Sequence, residues 1–308
     1  MRTGGIQSGY LFLLDKPAGL TSHDVVERAR RATALPRIGH SGTLDPMATG
    51  LLLLCAGGAA RLQSFFTRMD KSYEGIIRLG LATTTFDREG DPAGPERSPA
   101  GIGSQQIEEA AEEFRGEFQQ SPPPFSAKKF GGKKFYEMAR QGLSVPLMPK
   151  KVRVTSLSFG EPSDGRLPFS LSCSSGTYVR SIANELGQKL GCGAHLETLR
   201  RTRIGHFLVA DALPLDRFEA MTPEERLAPP HALPLSRVPF PFERVRLASL
   251  EVWKIRKGQA VTARQVEAKD GDWVTLVGPS DEMIALGQVT PMGTKGVHLI
   301  RPKIVLAE

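Results

Sequence analysis

The sequence predicts an α+β protein made of a large domain over residues 1–235 and a small β domain over residues 242–308. Three observations support this prediction. Strand patterns and amphipathic helical patterns are interspersed through the first part of the chain. A proline-rich stretch at residues 229–241 is typical of a linker or a domain edge. Beyond it, short strand patterns occur near residues 273–277, 284–289 and 297–305, separated by turns.

The first predicted elements are a buried strand and a short helix. Residues 9–15 form an apolar run that ends in the turn Lys16-Pro17-Ala18-Gly19. Thr21 and Asp24 have the spacing of a capping box, which predicts a helix start. The polar face of this helix and the residues after it carry a basic cluster of Arg28, Arg30, Arg31 and Arg37. The cluster is suited to following a phosphate backbone, although a solvated helix face explains it equally well.

Residues 38–54 are the most distinctive stretch of the chain. Asp45 is its one carboxylate and lies in a glycine-rich loop that leads into the apolar run Leu51 to Cys55. Glycines let a loop approach a ligand closely, and Pro46 stiffens the residue after the acid. From the residues alone, two interpretations stay open. Either the loop presents Asp45 to a ligand, or Asp45 caps a helix that begins at Pro46.

A helix is predicted over residues 59–68, followed by a strand from Tyr73 to Leu81 whose odd-numbered positions face inward. Tyr73 is then either a core tyrosine or a residue that contacts a ligand. After an exposed loop at residues 92–104, apolar residues at helical spacing predict a packing helix that extends to Phe118.

Two strands at residues 152–160 and 167–173 precede a helix from about Tyr178 to Leu190. Arg180 falls in the first turn of this helix. Cations are mildly disfavoured at a helix start, so an arginine there predicts a specific anionic partner, for which Asp45 is the natural candidate.

Residues 121–142 combine a proline run with lysines interleaved with aromatic residues, namely Lys128, Lys129, Lys133 and Lys134 with Phe130, Phe135 and Tyr136. Such a mixture can grip phosphates and stack on bases. A basic surface hairpin with buried aromatics is the alternative interpretation.

Composition narrows the class of protein. A formal net charge of +7 and a pI near 9.4 favour a polyanionic partner. The three cysteines are odd in number and widely spaced, which predicts neither a disulfide framework nor a zinc site and favours a reducing, cytoplasmic compartment. The apolar run Tyr10 to Leu14 is too short for a signal or a membrane span, so we expect a soluble protein with no membrane partner.

The block from Gly39 to Leu52 is similar to the catalytic-aspartate motif of the TruB family of bacterial pseudouridine synthases, which isomerise a uridine in the T arm of tRNA. Three further blocks resemble the family in the same order: Leu14 to Ser22, Lys71 to Gly75 and Cys173 to Ser181. Many relatives have Gly-Ala-Leu-Asp where this chain has Gly42-Thr43-Leu44-Asp45, which adds a hydroxyl and leaves the acid in register.

The resemblance implies the pseudouridine synthase fold, with a mixed, mostly antiparallel central sheet and flanking helices. The tail resembles, more loosely, the small PUA β-barrel that follows the synthase domain in many relatives and binds RNA. A structural β module is the alternative for this part of the chain.

The resemblance also implies roles for residues. Asp45 would be the catalytic carboxylate with Arg180 as its cationic neighbour, and Tyr73 would stack on the uracil and help to remove the C5 proton. His40 would stack in the place that a flipped-out uridine leaves, although an ordinary loop histidine is the alternative. Leu199 would line the uridine pocket, with the arginines of its block outside it. The basic residues expected to contact RNA are Lys16, Lys128, Lys129 and Arg201.

The predicted function is conversion of the T-loop uridine at tRNA position 55 to pseudouridine, by a monomer that binds the tRNA T stem-loop and uses no cofactor or metal. One rival is a tRNA-binding protein that remodels or stabilises the T-arm fold, against which the set of Asp45, Tyr73 and Arg180 argues. A synthase of the same family acting on another RNA is the second rival.

Overall fold

The computed structural model describes residues 9–123, 129–130, 133–134, 149–264, 266–291 and 297–306. Their strands form an 11-stranded sheet, a C-terminal 5-stranded sheet and a two-stranded ribbon. The strands are β1 (Gly9–Lys16), β2 (Ile38–His40), β3 (Thr49–Gly57), β4 (Lys71–Leu79), β5 (Gly116–Gln120), β6 (Lys129–Phe130), β7 (Lys133–Lys134), β8 (Lys150–Phe159), β9 (Arg166–Cys173), β10 (Ala194–Ile204), β11 (Phe207–Leu208), β12 (Leu213–Pro214), β13 (Leu233–Pro234), β14 (Glu243–Arg246), β15 (Val261–Arg264), β16 (Trp273–Val277), β17 (Met283–Pro291) and β18 (Val297–Val305).

The helices lie around these sheets. The α-helices are α1 (Ser22–Thr33), α2 (Gln63–Arg68), α3 (Ser104–Ala111), α4 (Val179–Lys189), α5 (Leu215–Ala220), α6 (Pro223–Leu227) and α7 (Ser249–Arg256). Short 3-10 helices lie at Gly58–Leu62, Glu112–Phe114, Val209–Asp211 and Leu235–Arg237. None of the α-helices in the described ranges is long and apolar enough to cross a membrane.

The large sheet is mixed and mostly antiparallel, which confirms the predicted fold class. Its strand order is β12-β1-β3-β10-β4-β9-β8-β5. Strand β3 pairs antiparallel with β1 and parallel with β10, and the strands from β10 to β5 are antiparallel throughout. Two parts of the chain that are far apart in sequence, β3 and β10, are thereby brought side by side.

Strand β3 is covered on both faces. Leu51, Leu53 and Cys55 belong to one apolar cluster, and Leu52 and Leu54 to another that includes the buried face of α1. All five side chains are fully buried. Because the Asp45 loop enters β3 directly, the buried strand fixes the position of that loop. The predicted capping box of Thr21 and Asp24 at the start of α1 is confirmed.

A third apolar cluster packs α3 and α4 against the inward face of β4, β9 and β10. The predicted inward positions Tyr73, Ile77 and Leu79 are all buried in it. The strands predicted at residues 152–160 and 167–173 and the helix predicted from about Tyr178 to Leu190 are confirmed within about two residues.

The helix predicted to extend to Phe118 is shorter than expected. It ends at Ala111 and passes through one 3-10 turn, and Phe118 lies on β5. Gly116 has φ of +72°, a left-handed conformation that terminates a helix and that glycine adopts without strain. The ring of Phe118 still contacts Phe114, at 5.9 Å between ring centroids, so the apolar spacing reflects a shared core and not a continuous helix.

The proline-rich stretch at residues 229–241 is typical of a linker or a domain edge in sequence, and the structure excludes a free linker. Its middle forms β13, which pairs antiparallel with β1, and Ala232 and Leu235 are buried. Prolines are tolerated at a sheet edge because an edge strand need not donate all its N–H groups.

The C-terminal sheet contains the three predicted strands, as β16, β17 and β18, with β14, α7 and β15 in addition. The first strand, β14, begins at Glu243. Leu286 and Ile304 of this sheet share an apolar cluster with Leu11 and Leu51 of the large sheet. The two sheets therefore pack on each other through apolar side chains.

Candidate active site

The loop that carries Asp45 is held along its main chain. Ser22 Oγ accepts a hydrogen bond from Leu44 N at 2.8 Å and donates one to Leu44 O at 3.1 Å. Pro46 O accepts from Gly19 N at 2.8 Å and from Lys16 Nζ at 3.1 Å. No helix follows Pro46, since the next element is β3, so the interpretation of Asp45 as a helix cap is wrong. The side chain is free to face a pocket.

Arg180 forms an ion pair with Asp45, which confirms the predicted anionic partner. Its side chain comes from the first turn of α4, and Nη2 and Nε lie 3.0 Å from Asp45 Oδ1 and Oδ2. Nη1 donates to Thr85 O at 3.0 Å. The Arg180 side chain is 8% exposed and that of Asp45 30%, so the carboxylate reaches the pocket and the guanidinium supports it from behind.

A second carboxylate, Asp87, lies on the other side of Arg180. Its Oδ2 is 3.3 Å from Arg180 Nη1, and its side chain is 4% exposed. Asp87 Oδ1 accepts hydrogen bonds from Thr85 Oγ at 2.6 Å and from Glu89 N at 3.0 Å. The sequence predicts only that Asp87 begins a turn-rich stretch after the β4 strand pattern, because Asp, Gly and Pro cluster there. No local sequence signal identifies it, because only the fold brings Asp87 next to the ion pair of Asp45 and Arg180.

Asp45 lines a pocket of about 340 Å³ beside β4 and β10 of the large sheet. Tyr73 from β4 and Leu199 from β10 form part of its wall. The remaining lining residues come from the Asp45 loop, α2, the start of β4, the turn into α4 with its first residues, and β10: Gly42, Thr43, Leu44, Thr67, Lys71, Gly176, Thr177, Tyr178, Val179, Arg180 and Arg201. The structure thus brings Asp45, Tyr73, Arg180 and Leu199 to one pocket.

The electrostatics of the pocket are set by burial and by the cations beside it. Burial raises the pKa of the Asp45 carboxyl, the Arg180 guanidinium opposes that rise, and the neighbouring Asp87 carboxylate adds to it. Burial likewise raises the pKa of the Tyr73 hydroxyl, and the charge of Arg201 acts against the increase. A carboxylate in such a place remains a strong base or nucleophile only while its cationic neighbour is in position.

Two residues expected to contact RNA are buried. Lys16 is fully buried and its Nζ donates to Pro17 O, Leu20 O and Pro46 O, at 2.9, 2.6 and 3.1 Å. Arg201 is 1% exposed and lines the pocket, so the prediction that the arginines of its block lie outside the pocket is wrong for this residue. Both side chains hold main-chain carbonyl oxygens and do not present a basic surface.

The other predicted contacts are placed differently. His40 is half-buried on β2, and its Nδ1 accepts a hydrogen bond from Gly42 N at 3.3 Å. Burial lowers the pKa of its imidazole. Lys128 lies outside the described residues, and for Lys129 only the main chain of β6 is described. Within the described ranges, no three His, Cys, Asp or Glu side chains come together as a metal site would require.

Comparison with known proteins decides the family. Residues 30–179 match the model for the TruB family pseudouridylate synthase N-terminal domain, and residues 180–245 match the tRNA pseudouridylate synthase B C-terminal domain. The tRNA pseudouridine synthase B of Solibacter usitatus is 41% identical over 280 residues, covering 91% of this chain and 95% of that protein. This chain belongs to the TruB family of pseudouridylate synthases. As a member of it, the protein is an isomerase.

Other relatives of this TruB-family enzyme extend over the same length. The tRNA pseudouridine synthase B of Aquifex aeolicus is 36% identical, with 90% of this chain and 94% of the relative covered. Among solved structures, an H/ACA RNP bound to a substrate RNA containing 2′-deoxyuridine matches with a TM-score of 0.70 and 23% identity, over 97% of this chain and 85% of that one. At that identity the structural match shows the fold alone, which is the pseudouridine synthase fold.

Proposed function

We propose that this TruB-family enzyme converts one uridine in the T loop of tRNA, at position 55, to pseudouridine, with Asp45 as the catalytic carboxylate and without a cofactor. The observation that carries the proposal is the position of Asp45. It lies in the wall of a pocket, ion-paired to Arg180, in a chain 41% identical to a tRNA pseudouridine synthase B.

The chemistry fits these residues. In the isomerisation the bond from N1 to C1′ breaks and a bond from C5 to C1′ forms. C5 then loses its proton and N1 gains one, so the reaction is neutral in protons and electrons. An ionised carboxylate must act next to the ring and the sugar in a place that water does not dominate. Arg180 favours the ionised form of Asp45 there, because an adjacent cation offsets part of the cost of burying the charge.

The target base has to leave the RNA stack to reach Asp45. Enzymes that act on a base generally extrude it into a pocket. Tyr73 and Leu199 supply an aromatic and an aliphatic wall against which a pyrimidine can stack. His40, the last residue of β2 before the Asp45 loop, is the side chain proposed to stack in the place that the base leaves.

The proposal extends to partner, compartment and domain organisation. The T stem-loop is the part of tRNA recognised, and the enzyme acts as a monomer in the cytoplasm. Residues 1–235 are the synthase domain. Residues 242–308, whose 5-stranded sheet begins at β14, are a PUA-like unit that adds contacts to RNA.

The test is pseudouridine mapping by carbodiimide on unmodified tRNA incubated with the wild-type protein and with Asp45→Asn. Wild type should mark one T-loop uridine, while Asp45→Asn should bind tRNA with similar affinity and mark none. The matched control is Asp91→Asn, which removes the charge of an exposed aspartate outside the pocket and should leave the mark unchanged.

The outcomes separate the rival functions. If neither the wild type nor Asp45→Asn modifies tRNA while both bind it, the catalytic assignment fails and a protein that remodels or stabilises the T-arm fold is favoured. If the wild type marks a different RNA and leaves the T loop unmarked, the substrate assignment fails and the assignment of Asp45 survives.

A further inference from the structure

Arg201 is a deeply buried arginine whose guanidinium is not presented at the surface. Its side chain is 1% exposed, which makes it one of the largest fully buried side chains described. Its guanidinium donates to three main-chain carbonyl oxygens: Nε to Leu51 O at 2.8 Å, Nη2 to Gly42 O at 3.2 Å and Nη1 to Thr43 O at 3.4 Å. Each of these acceptors is neutral.

A buried cation with neutral acceptors is in an unusual electrostatic position. Carbonyl oxygens satisfy its N–H groups, but they supply no full negative charge to offset the loss of water. Burial accordingly lowers the pKa of the Arg201 guanidinium. Any negative charge that develops beside Arg201 during a reaction is therefore stabilised strongly, because the dielectric response around it is weak.

The side chain placed to receive such a charge is Tyr73. Arg201 on β10 and Tyr73 on β4 are direct partners in the antiparallel register, so their side chains lie next to each other on one face of the sheet. Both line the pocket that Asp45 enters. Burial raises the pKa of the Tyr73 hydroxyl, and the charge of Arg201 opposes that rise.

We propose that Arg201 is a positioning residue that stabilises negative charge on the Tyr73 oxygen while Tyr73 takes the proton from C5. The inference rests on the proposed function. Tyr73 first releases its hydroxyl proton to water. After C5 has bonded to C1′, the Tyr73 phenolate accepts the C5 proton, and the electron pair of the C5–H bond restores the C5–C6 double bond. Tyr73 is then a neutral phenol again, and N1 is protonated from water.

The experiment measures single-turnover rates across pH on tRNA that carries either uridine or 5-deuterouridine at the target position. In Arg201→Gln the C5 step should slow by about tenfold or more, so the deuterium isotope effect should exceed that of the wild type. The rate should also rise more steeply toward alkaline pH, because more Tyr73 ionises there. Adding Arg201→Gln to Tyr73→Phe should cause little further loss, since both substitutions affect one step.

Two further variants separate this role from simple support of the loop. Arg201→Lys keeps a cation but lacks the fixed guanidinium fork, so its isotope effect and pH profile should lie between those of the wild type and Arg201→Gln. Arg203→Gln removes an arginine of the same strand that bonds Ser72 Oγ and Gly205 O outside the pocket. It should change neither readout.

An equal loss of rate at every pH, with a wild-type isotope effect in both Arg201 variants, would show that Arg201 only holds the loop and would overturn the proposal. A wild-type result in every readout for Arg201→Lys would overturn it as well, and this variant serves if Arg201→Gln does not fold. A wild-type enzyme that forms no pseudouridine would instead overturn the proposed function itself.

Discussion

At the scale of single residues, the candidate site is a row of alternating charges. Arg180 lies between Asp45, which reaches the pocket, and Asp87, which is buried behind it. One carboxylate is available for chemistry and the other holds the guanidinium. The orientation of Asp45 therefore depends in part on Asp87, a buried residue that does not line the pocket.

Asp87→Asn tests that control. The amide oxygen can still accept from Thr85 Oγ and Glu89 N, but the amide N–H group would then face the Arg180 guanidinium, and two donors repel each other. We expect single-turnover pseudouridine formation to fall about 100-fold, about 2.7 kcal/mol in activation free energy, with tRNA affinity unchanged. A wild-type rate in Asp87→Asn would contradict this prediction, because it would show that Asp45 alone is enough to orient the Arg180 guanidinium.

Lys71 gives a prediction on pH and stability. It is 5% exposed, its Nζ donates to Thr67 O and Met69 O at 2.6 Å, and burial lowers its pKa to about 8. In the unfolded chain the pKa returns to its ordinary 10.5, so between pH 8 and 10.5 the unfolded state binds more protons. The contribution of Lys71 to the free energy of unfolding therefore rises with pH in this window, by at most about 3 kcal/mol.

Urea unfolding of wild type and Lys71→Met at pH 7.5 and pH 10 measures this effect. The difference between the two proteins should move in favour of wild type as the pH rises. Lys257→Met, which removes an exposed charge, is the control. Parallel stability curves for wild type and Lys71→Met would contradict the prediction.

At the scale of elements, the close approach of β3 and β10 depends on Gly50. Its φ is +100°, and a Cβ there would lie 2.3 Å from Arg201 O and 2.7 Å from Arg201 N. We expect Gly50→Ala to lower the free energy of unfolding by roughly 3 kcal/mol or more, because it adds a clash with rigid main chain to a strained conformation. Tm and urea midpoints measure it.

The matched control for that substitution is Gly116→Ala. Gly116 has a similar left-handed φ of +72°, but no atom lies within 4 Å of a Cβ placed there. This substitution should therefore cost only the backbone strain, about 1 kcal/mol. Equal losses in the two variants would mean that the contact between β3 and β10 can relax.

Elements with a clear period could be predicted from the sequence, and elements fixed by tertiary contact could not. The alternation in β4 and the capping box of α1 are local signals, and both were confirmed. Phe118 follows helical spacing yet lies on a strand, because Gly116 turns the chain while the core keeps both rings together. Residues 233–234 pair with β1 only because the fold brings that edge to them.

The same distinction applies to the site. The pocket lining includes four residues that belong to local sequence motifs, namely Asp45, Tyr73, Arg180 and Leu199. Asp87 lies in a turn of ordinary composition, and its place beside Arg180 comes from the pairing of its segment with β10. Lys16 and Arg201 were expected to contact RNA because they are basic, but the sequence does not reveal that main-chain carbonyl oxygens surround them.

At the scale of the whole molecule, the two sheets meet in an aromatic cluster. Phe65 of α2 packs on Phe242 at 4.7 Å between ring centroids, and Phe242 stacks on Trp273 of β16 at 6.2 Å. Phe240 also contacts both phenylalanines, at 5.2 Å from Phe242 and 6.1 Å from Phe65 between ring centroids. Unfolding either unit would expose this cluster, so we expect both units to unfold together.

Fluorescence and circular dichroism can test this coupling, since the only two tryptophans, Trp253 and Trp273, belong to the C-terminal unit. The denaturant midpoint from tryptophan fluorescence should coincide with that from far-UV circular dichroism. Phe65→Ala should reduce the free energy of unfolding by about 2 kcal/mol and lower both midpoints equally. Phe159→Ala, which changes the separate core of the large sheet, should also move the two midpoints together. Separate midpoints in the wild type would contradict the prediction.

The bonded loop around Asp45 has a consequence for how RNA substrates are sorted. Every main-chain carbonyl oxygen from Gly42 to Pro46 accepts a hydrogen bond, from Arg201, Ser22, Ala48, Gly19 or Lys16. A wall fastened this way has little freedom to adapt, so the cost of fitting falls on the nucleic acid. We therefore expect two RNAs that offer the same base to differ in their rate of isomerisation. The RNA whose arm is easier to deform should react faster, because less energy is needed to bring its base into the pocket.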